Sequence, residues 1–326
     1  MSDVLVAARV QFGDESIAQL RSHTGRPLRA DAPLHEQLSD ELEPGFIVCL
    51  GADEQFVWPA LRVGESVRVK LQSDDGSARI VRMHTVSTRP RVFLIPSLLS
   101  LAECDELVAI GKSTQLDKSK VGADTGKGGE YRDVRTSSQT WIAAGSPNDT
   151  PTVKRVRDRV FDLMKMPVDL GEALQLVHYN VSQHYFGHHD YSHIWESVDS
   201  PYVQAGGNRF ITVVMYLNDV EAGGETVFPF ANSTNRPRLD EHGKEQIWVI
   251  ENNEHVYFGN PGCDGRGLQV PPIKGAALVF YNLLEEHTAF ATPDSYTLHA
   301  GCDVLKGEKF AAQQWIRNKR VGGVLY

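Results

Sequence analysis

Alternating polar and apolar positions mark two segments in the first quarter of the chain. Residues 66–71 and residues 78–83 both alternate with the period of two that is typical of a β-strand with one buried face. Between them lies Asp74-Asp75-Gly76, a sequence that favours a tight turn. The pattern therefore predicts a β-hairpin.

A polar stretch at residues 85–90 follows this hairpin and predicts a linker. We therefore expect residues 1–88 to form a small β-rich accessory domain, and residues 89–326 to form a second, larger domain. The chain has 326 residues, about twice the length of a typical domain, which agrees with one large and one small unit. The pattern assigns no role to the accessory domain.

Two helices are predicted at the start of the larger domain, after a buried strand at residues 92–95. Ser100 and Glu103 match a capping box, in which each side chain binds the backbone N–H of the other residue. Thr150 and Pro151 match the cap and the first residue of the second helix. The apolar positions at helical spacing are Leu101, Leu107 and Ile110 in the first helix, and Val153, Val156, Val160 and Leu163 in the second.

Short strands replace helices from about residue 174 onward. The predicted strands are residues 174–179, 210–217, 226–228, 247–250, 276–281, 297–300 and 310–316. Many short strands after two helices are typical of a barrel or jelly roll with helices packed outside it. The sequence therefore predicts a mainly β fold with flanking helices.

Two polar stretches interrupt this pattern. Residues 117–132 contain four glycines, and residues 230–262 are too many for a simple turn. We expect the second stretch to be a loop with its own hairpin. Both stretches are candidates for covering a functional site.

Composition and charge exclude several classes of function. The chain has 42 acidic and 33 basic residues, a net charge of −9, which has the wrong sign for binding nucleic acid or an anionic bilayer. The longest apolar stretch, residues 276–284, is shorter than the about 20 residues of a membrane-spanning helix. The first residues have neither a basic leader nor a secretory hydrophobic segment, so we expect a cytoplasmic protein with no membrane span.

Four cysteines, at positions 49, 104, 263 and 302, have no CxxC spacing. They are too few to crosslink a chain of this length, so buried thiols are expected. A bridge between Cys263 and Cys302 is the alternative.

The first candidate chemistry lies in a histidine-rich segment at residues 183–190. His188 and Asp190 are two residues apart, so on a strand they share one face while His189 points to the other. His299, on a later predicted strand, is a candidate third ligand. Two imidazoles and one carboxylate form the facial triad that holds non-haem iron(II) and leaves three coordination positions open. Surface histidines near a carboxylate are the competing explanation.

A lysine, Lys309, follows His299 after ten positions. On the predicted strand it shares a face with Gln313 and Trp315, so that face carries both an ammonium and an indole. An ammonium inside a barrel is costly unless an anion pairs with it, and a dicarboxylate cosubstrate would supply that anion. The alternative is a solvated lysine at a sheet edge.

The order of these motifs resembles the iron(II)- and 2-oxoglutarate-dependent dioxygenases of the prolyl 4-hydroxylase type, over residues 90–316. The matching motifs are Pro90-Arg91-Val92-Phe93-Leu94, Arg135-Thr136-Ser137, Tyr179, Tyr185, His188-His189-Asp190, Arg209, Thr212, Tyr216-Leu217-Asn218, Gly223-Gly224-Glu225-Thr226-Val227-Phe228-Pro229, Lys274-Gly275, His299-Ala300-Gly301-Cys302, Lys309 and Trp315. The resemblance implies a double-stranded β-helix, a cupin-like jelly roll, for the catalytic core.

The resemblance also implies a site. His188, Asp190 and His299 would bind iron(II), and Lys309 would bind the distal carboxylate of 2-oxoglutarate. Hydroxyl groups near that cosubstrate would come from three residues, Tyr179, Thr212 and Tyr216. The substrate side would include Arg135 and Trp315.

The inward direction of two of these hydroxyls follows from strand parity, which groups Thr212 and Tyr216 with Phe210 and Val214 on one face. Each hydroxyl has an alternative role as a satisfied hydrogen bond of the core. Trp315 has an alternative role as simple core packing.

The implied reaction is hydroxylation of a prolyl residue in a peptide or protein, expected at C4. O2 is the second cosubstrate, 2-oxoglutarate is converted to succinate and CO2, and ascorbate serves as a reductant. One alternative keeps this cofactor chemistry but takes a free amino acid or another small molecule. A second is a binding protein that holds a peptide without turnover. The oligomeric state stays open.

Overall fold

The computed structural model describes residues 17–29, 37, 47–51, 56–72, 78–120, 134–191, 207–232, 238–239, 245–246, 248–251, 254–257, 262–284 and 292–319. Helix α1 spans Leu101–Ser113 and helix α2 spans Pro151–Met164. Short 3-10 turns lie at Val168–Leu170 and Ser295–Thr297.

The remaining regular elements are strands. They are β1 (Ile17–Ser22), β2 (Ile47–Gly51), β3 (Ser66–Gln72), β4 (Ala78–Thr88), β5 (Arg91–Ile95), β6 (Asp117–Lys118), β7 (Ser138–Ile142), β8 (Leu174–Tyr179), β9 (Tyr185–His188), β10 (Arg209–Tyr216), β11 (Ala222–Gly223), β12 (Thr226–Phe228), β13 (Arg238–Leu239), β14 (Glu245–Gln246), β15 (Trp248–Glu251), β16 (Glu254–Tyr257), β17 (Leu268–Val270), β18 (Ala277–Tyr281), β19 (His299–Gly301), β20 (Val304–Lys306) and β21 (Lys309–Arg317).

Two antiparallel sheets of unequal size form the core of the fold. The large sheet has the order β3-β4-β5-β18-β10-β21-β8-β7-β6, and the small sheet has the order β17-β12-β19-β9. Most neighbouring strands of the two sheets are distant in sequence, and side chains of the two sheets meet in a shared apolar cluster. This arrangement is the predicted jelly roll with flanking helices.

The helices cover the outer face of the large sheet. The capping box of Ser100 and Glu103 is present at the start of α1, and Thr150 caps α2 ahead of Pro151, as predicted. Because burial of apolar surface is the main driving force of folding, this layer holds the sheet and helices together. The shared core includes Phe93, Leu107, Val153, Val156, Val160, Leu163, Val213, Met215, Val279, Phe310, Ala312 and Ile316.

A second apolar cluster lies between the two sheets. Successive side chains of a strand point to opposite faces, so β21 sends Phe310 and Ala312 outward and Ala311 inward. The inner cluster consists of Val92, Val214, Tyr216, Leu278, Phe280 and Ala311 of the large sheet, together with Phe228, Ala231, Val270 and Ala276. The rest of the inner face is free to carry polar groups.

The predicted hairpin is confirmed, but the predicted linker after it is wrong. β3 pairs with β4, and β4 continues to Thr88 and pairs with β5. Polar side chains are accommodated in β4 because their hydroxyl groups have hydrogen-bond partners. Thr85 Oγ1 accepts from Leu61 N at 3.2 Å, and Ser87 Oγ donates to Asn232 Oδ1 at 3.1 Å. The large sheet therefore continues through residue 88.

Trp58 ties the segment before β3 to the same core. Its backbone N–H donates to Tyr281 Oη at 3.0 Å, and its indole Nε1 donates to Leu163 O in α2 at 2.8 Å. The Trp58 ring also meets that of Phe56 edge to face, with 5.1 Å between centroids. Residues 56–88 therefore share one apolar core with the helices and the sheet.

The inward direction predicted for Phe210 is wrong. In the pairing of β10 with β21, the step from Arg209 to Ile211 covers one position of the partner strand, so a bulge interrupts the alternation. The Phe210 ring lies in the outer core, 5.3 Å from that of Tyr281. After the bulge the alternation is regular, and Val214 points inward as predicted.

The long polar excursion contains the hairpin that was predicted for it, since β15 pairs with β16. Residues 121–132 of the other polar stretch lie outside the described residues. Cys263 and Cys302 form a disulfide bond, so the expectation of buried thiols is wrong for this pair and right for Cys104.

Within the described ranges, no helix is both long and apolar enough to cross a bilayer.

Candidate active site

His188, Asp190 and His299 come together between the two sheets. Strands β9 and β19 pair so that the two histidines lie opposite each other. Asp190 lies after the end of β9, so a bend, rather than the predicted strand alternation, brings its carboxylate beside the imidazoles. Its Oδ1 lies 3.6 Å from His188 Nε2, and its Oδ2 lies 3.7 Å from His299 Nε2. The three candidate ligand atoms lie within 4.8 Å of one another.

Backbone carbonyls fix the direction of both imidazoles. His188 Nδ1 donates to Phe186 O at 2.8 Å, and His299 Nδ1 donates to Thr297 O at 2.9 Å. A carbonyl only accepts, so each Nδ1 carries a proton, and each Nε2 faces the space beside Asp190. Burial lowers the pKa of His188 well below its ordinary value, which favours the neutral ring that a metal requires.

The carboxylate of Asp190 is ionised. Burial alone would raise its pKa, but His299, His188 and Arg209 lower that pKa below its ordinary value. A hydrogen bond from Thr212 Oγ1 to Asp190 Oδ2 at 2.7 Å lowers the pKa further. One ionised carboxylate and two neutral imidazoles are the donor set of non-haem iron(II) sites, so the residues fit that metal.

Lys309 lies in the same inner space, opposite Tyr179 of β8. Its Nζ donates to Gly224 O at 2.7 Å and lies 5.3 Å and 5.7 Å from the ring centroids of Tyr179 and Tyr216. Burial lowers the pKa of Lys309 to about 8, although Glu225 raises it. No carboxylate of the described chain lies within ion-pair distance of this ammonium, so a bound anion would complete the site.

A tight glycine turn aims the carbonyl of Gly224 at Lys309. Gly223 has a φ of 76°, in the left-handed region, and a Cβ at this position would lie 2.2 Å from Asp303 O. Only glycine fits this turn. The turn therefore requires glycine at position 223, and the next residue, Gly224, lies beside the candidate anion site.

Two tyrosine rings lie beside the ammonium, and a threonine accepts a hydrogen bond from one of them. Burial raises the pKa of Tyr179, although Arg135 and a hydrogen bond with Ser137 oppose that shift, so its phenol is neutral and able to donate. Tyr216 Oη donates to Thr226 Oγ1 at 2.9 Å. Thr226 was part of a matching motif but received no role from the sequence. Its place on β12, two residues after the carbonyl that Lys309 contacts, was the available signal.

Thr212 lies at the metal ligands, since it donates to Asp190 Oδ2. The sequence predicted this hydroxyl beside the cosubstrate, and in the structure its partner is the carboxylate of a candidate metal ligand. The amide of Asn282 donates in turn to Thr212 Oγ1 at 2.9 Å. Asn282 was not predicted, because its partner lies on a different strand.

Arg135 is buried near the same site. Its guanidinium donates to Ser137 Oγ at 3.3 Å and to Gln175 Oε1 at 3.4 Å. It also lies 4.5 Å from the ring centroid of Tyr185, and that ring stacks on His188 with 3.5 Å between centroids. The ring of Tyr185 therefore lies between the Arg135 guanidinium and the candidate ligand His188.

Trp315 lies opposite Thr212 on the inner face and is 3% exposed. The Arg209 guanidinium lies 3.9 Å from its ring, and its indole Nε1 is buried with no hydrogen-bond partner. Trp141, which is 42% exposed, lies with its ring centroid 5.6 Å from that of Trp315. Two indoles therefore connect the inner space with the protein surface.

One carboxylate, not predicted from the sequence, holds two arginines beside Trp315. Glu172 accepts from Arg209 at 2.9 Å and 2.8 Å, and from Arg317 at 3.1 Å. Burial alone would raise the pKa of Glu172, but the two guanidiniums lower it. The network fixes Arg209 against the indole ring of Trp315.

Comparisons with known proteins show which proteins this chain resembles. Residues 174–317 match the family described as the 2OG-Fe(II) oxygenase superfamily. The chain is 36% identical to "Prolyl 4-hydroxylase 2" of Arabidopsis thaliana over 72% of this chain and 70% of that protein, and equally so to "Probable prolyl 4-hydroxylase 4" of the same plant. A solved structure, the viral collagen prolyl hydroxylase of Paramecium Bursaria Chlorella virus-1 with 2OG, is 22% identical, with a TM-score of 0.44, over 69% of this chain and 94% of that one.

Proposed function

Since this chain belongs to the prolyl 4-hydroxylase family of iron(II)- and 2-oxoglutarate-dependent oxygenases, we propose that it hydroxylates a prolyl residue of a peptide or protein at C4. It is a dioxygenase whose cofactor is iron(II) and whose cosubstrates are 2-oxoglutarate and O2. The observation that carries the proposal is the convergence of His188, Asp190 and His299 within 4.8 Å, between the two sheets that also enclose Lys309.

In this proposal His188, Asp190 and His299 hold the metal through two Nε2 atoms and one carboxylate oxygen. When bound, iron(II) with its two cosubstrates supplies the oxidation, in which 2-oxoglutarate yields succinate and CO2 and one oxygen atom enters a C–H bond. Lys309 binds the distal carboxylate of 2-oxoglutarate and Tyr179 donates a hydrogen bond to it. The surrounding apolar cluster excludes water, which strengthens both interactions.

Roles near that carboxylate differ among the hydroxyls. Tyr216 acts through Thr226, which receives its hydrogen bond and lies beside the glycine turn. We therefore place Thr226, with Tyr216 behind it, at the cosubstrate. Thr212 supports the metal ligand Asp190 instead.

The substrate side of the proposal rests on Trp315, Arg135 and Trp141. Aromatic faces pack well against the flat apolar ring of proline. The free indole Nε1 of Trp315 and the guanidinium of Arg135 can bind backbone carbonyls, which are acceptors that every peptide carries. The partly exposed Trp141 extends this surface outward, which favours a chain of several residues over a free amino acid.

Turnover of synthetic peptides tests this function. We expect proline-containing peptides to drive succinate release and to gain one oxygen atom by mass spectrometry, with free proline and other free amino acids inactive. Amino-acid analysis of the product would identify 4-hydroxyproline. Release driven only by a small molecule would favour the alternative substrate class. Binding of peptide without succinate would favour a non-catalytic protein.

Three further expectations stay predictions. Ascorbate as a reductant would raise the number of turnovers before inactivation.

The cytoplasmic location is opposed by the Cys263–Cys302 disulfide, since such bonds are rare in reducing compartments, and thiol labelling in cells would decide it. The separate accessory domain at residues 1–88 would have to fold without β5, the strand with which β4 pairs.

A further inference from the structure

Asn282 is fully buried at the end of β18 and is not one of the candidate ligands. Its side-chain nitrogen donates to Thr212 Oγ1 at 2.9 Å, and Thr212 donates to Asp190 Oδ2 at 2.7 Å. Its side-chain oxygen, Oδ1, is buried with no hydrogen-bond partner. A buried amide with an unsatisfied carbonyl costs stability, so its position calls for a functional reason.

The direction of the two hydrogen bonds is fixed by the number of protons. An ionised carboxylate only accepts, so the single hydroxyl proton of Thr212 points to Asp190. The Thr212 oxygen must then accept from its other neighbour, and only the NH2 group of Asn282 can donate. If the amide were reversed, its oxygen and the carboxylate would compete for one proton.

We infer that Asn282 is a positioning residue for the metal site, acting through Thr212 to hold Asp190 so that Oδ2 is engaged and Oδ1 is free for the metal. This inference rests on the proposed iron(II) site. A carboxylate whose second oxygen is engaged binds a metal through one oxygen, which leaves more coordination positions for other ligands. The amide therefore acts on coordination number, although it touches no ligand.

The backbone of Asn282 supports the third ligand. Its carbonyl accepts from Asp294 N at 2.8 Å. Asp294 Oδ1 then accepts from Tyr296 N, and Asp294 O accepts from Thr297 Oγ1, which stabilises the 3-10 turn before His299. One residue thus contacts, by its side chain and its main chain, the two segments that position Asp190 and His299.

Cobalt(II) binding to the metal-free protein tests the inference without turnover. Thr212→Val and Asn282→Leu should each weaken Co(II) binding, by about 10- to 100-fold for Thr212→Val and by less for Asn282→Leu. The visible d–d absorption of bound Co(II) should change in both variants, because a released Oδ2 raises the coordination number. Thr212→Ser keeps the hydroxyl and should retain both wild-type properties.

A double-mutant cycle separates positioning from packing. Because Asn282 acts through Thr212, adding Asn282→Leu to Thr212→Val should cause little further loss of affinity. Equal losses in both backgrounds would overturn the relay. Asn282→Ala, which removes the donor and adds no bulk, provides the same test if Asn282→Leu does not fold.

Gln314→Leu is the matched control. Gln314 is also a fully buried amide with an unpartnered side-chain oxygen, and it bonds the backbone of Glu172 away from the ligands. Its Co(II) affinity and spectrum should equal those of the wild type. Unchanged Co(II) binding in Thr212→Val and Asn282→Leu would overturn the inference, whereas a wild type that binds no Co(II) would overturn the proposed function.

Discussion

The two faces of strand β21 differ in what they contact. Outward, Phe310, Ala312 and Ile316 lie in the apolar layer beneath the helices. Inward, Lys309 and Trp315 meet a carbonyl, aromatic rings and a guanidinium. One strand of nine residues therefore serves stability on one side and chemistry on the other. The difference teaches that fold and function use separate sets of side chains, which mutations can address independently.

The largest expected effect on the inner face is that of His299→Ala. Loss of one imidazole leaves two ligands, so succinate release should fall below detection while the thermal stability of the metal-free protein changes little. The matched control is His189→Ala, because His189 lies beside His188 but its Nε2 faces Ser295 O at 3.1 Å. Normal turnover by His299→Ala would contradict the ligand assignment.

Trp58→Ala should have the largest effect on the outer core. Removing a fully buried indole costs about 3 to 5 kcal/mol of unfolding free energy, measured by chemical denaturation. Val63→Ala, at an exposed position of the same segment, should change that free energy by less than about 0.5 kcal/mol. The apparent KM for 2-oxoglutarate should stay normal in the folded fraction. Wild-type stability of Trp58→Ala would contradict the role given to this indole in the core.

Lys309→Met should act on chemistry alone. It keeps the length of the side chain and removes a charge-assisted hydrogen bond worth about 1.5 to 3 kcal/mol. The apparent KM for 2-oxoglutarate should therefore rise by about 10- to 160-fold. Lys306→Met, on the surface beside Glu221, should have a normal KM. An unchanged KM in Lys309→Met would place the anchor elsewhere.

The smallest effect is a pH dependence. The pKa of Lys309 is about 8 because the ammonium is buried, and 2-oxoglutarate binds the protonated form. The apparent KM should be constant well below that pH and rise by up to about tenfold per pH unit above it. Lys309→Arg stays charged at every working pH, so its KM should not show this rise even if it is higher throughout. A wild-type KM that does not change up to about pH 9.5 would contradict the prediction.

Local signals in the sequence were sufficient for much of the fold. The capping box at Ser100, the cap at Thr150 and the alternation along β3 and β4 each depend on neighbours within a few residues, and all three are present. Failures arose where a local rule depends on a distant partner. The sequence predicted a linker at Thr85 and Ser87 because it does not show their hydrogen bonds to residues 61 and 232. Phe210 was misplaced because a bulge depends on the opposite strand.

The candidate site divides in the same way. The motif order brought His188, Asp190, His299 and Lys309 into one group, because each stands at a distinctive spacing. The supporting residues had no such spacing. Glu172 joins Arg209 and Arg317 from three separate elements, and Asn282 reaches Asp190 only through a hydroxyl of β10. Such contacts follow from the assembled sheets rather than from the local pattern.

The disulfide has a consequence for how much this fold can vary. Cys302 lies just after the strand that begins at His299, and its partner Cys263 closes the polar excursion on one side. On the other side Asn232 bonds Ser87 and the carbonyl of Val86. Both ends of the polar excursion are therefore bonded to the sheets. We expect that the segment between these ends can be replaced by one of another length without moving the residues of the candidate active site.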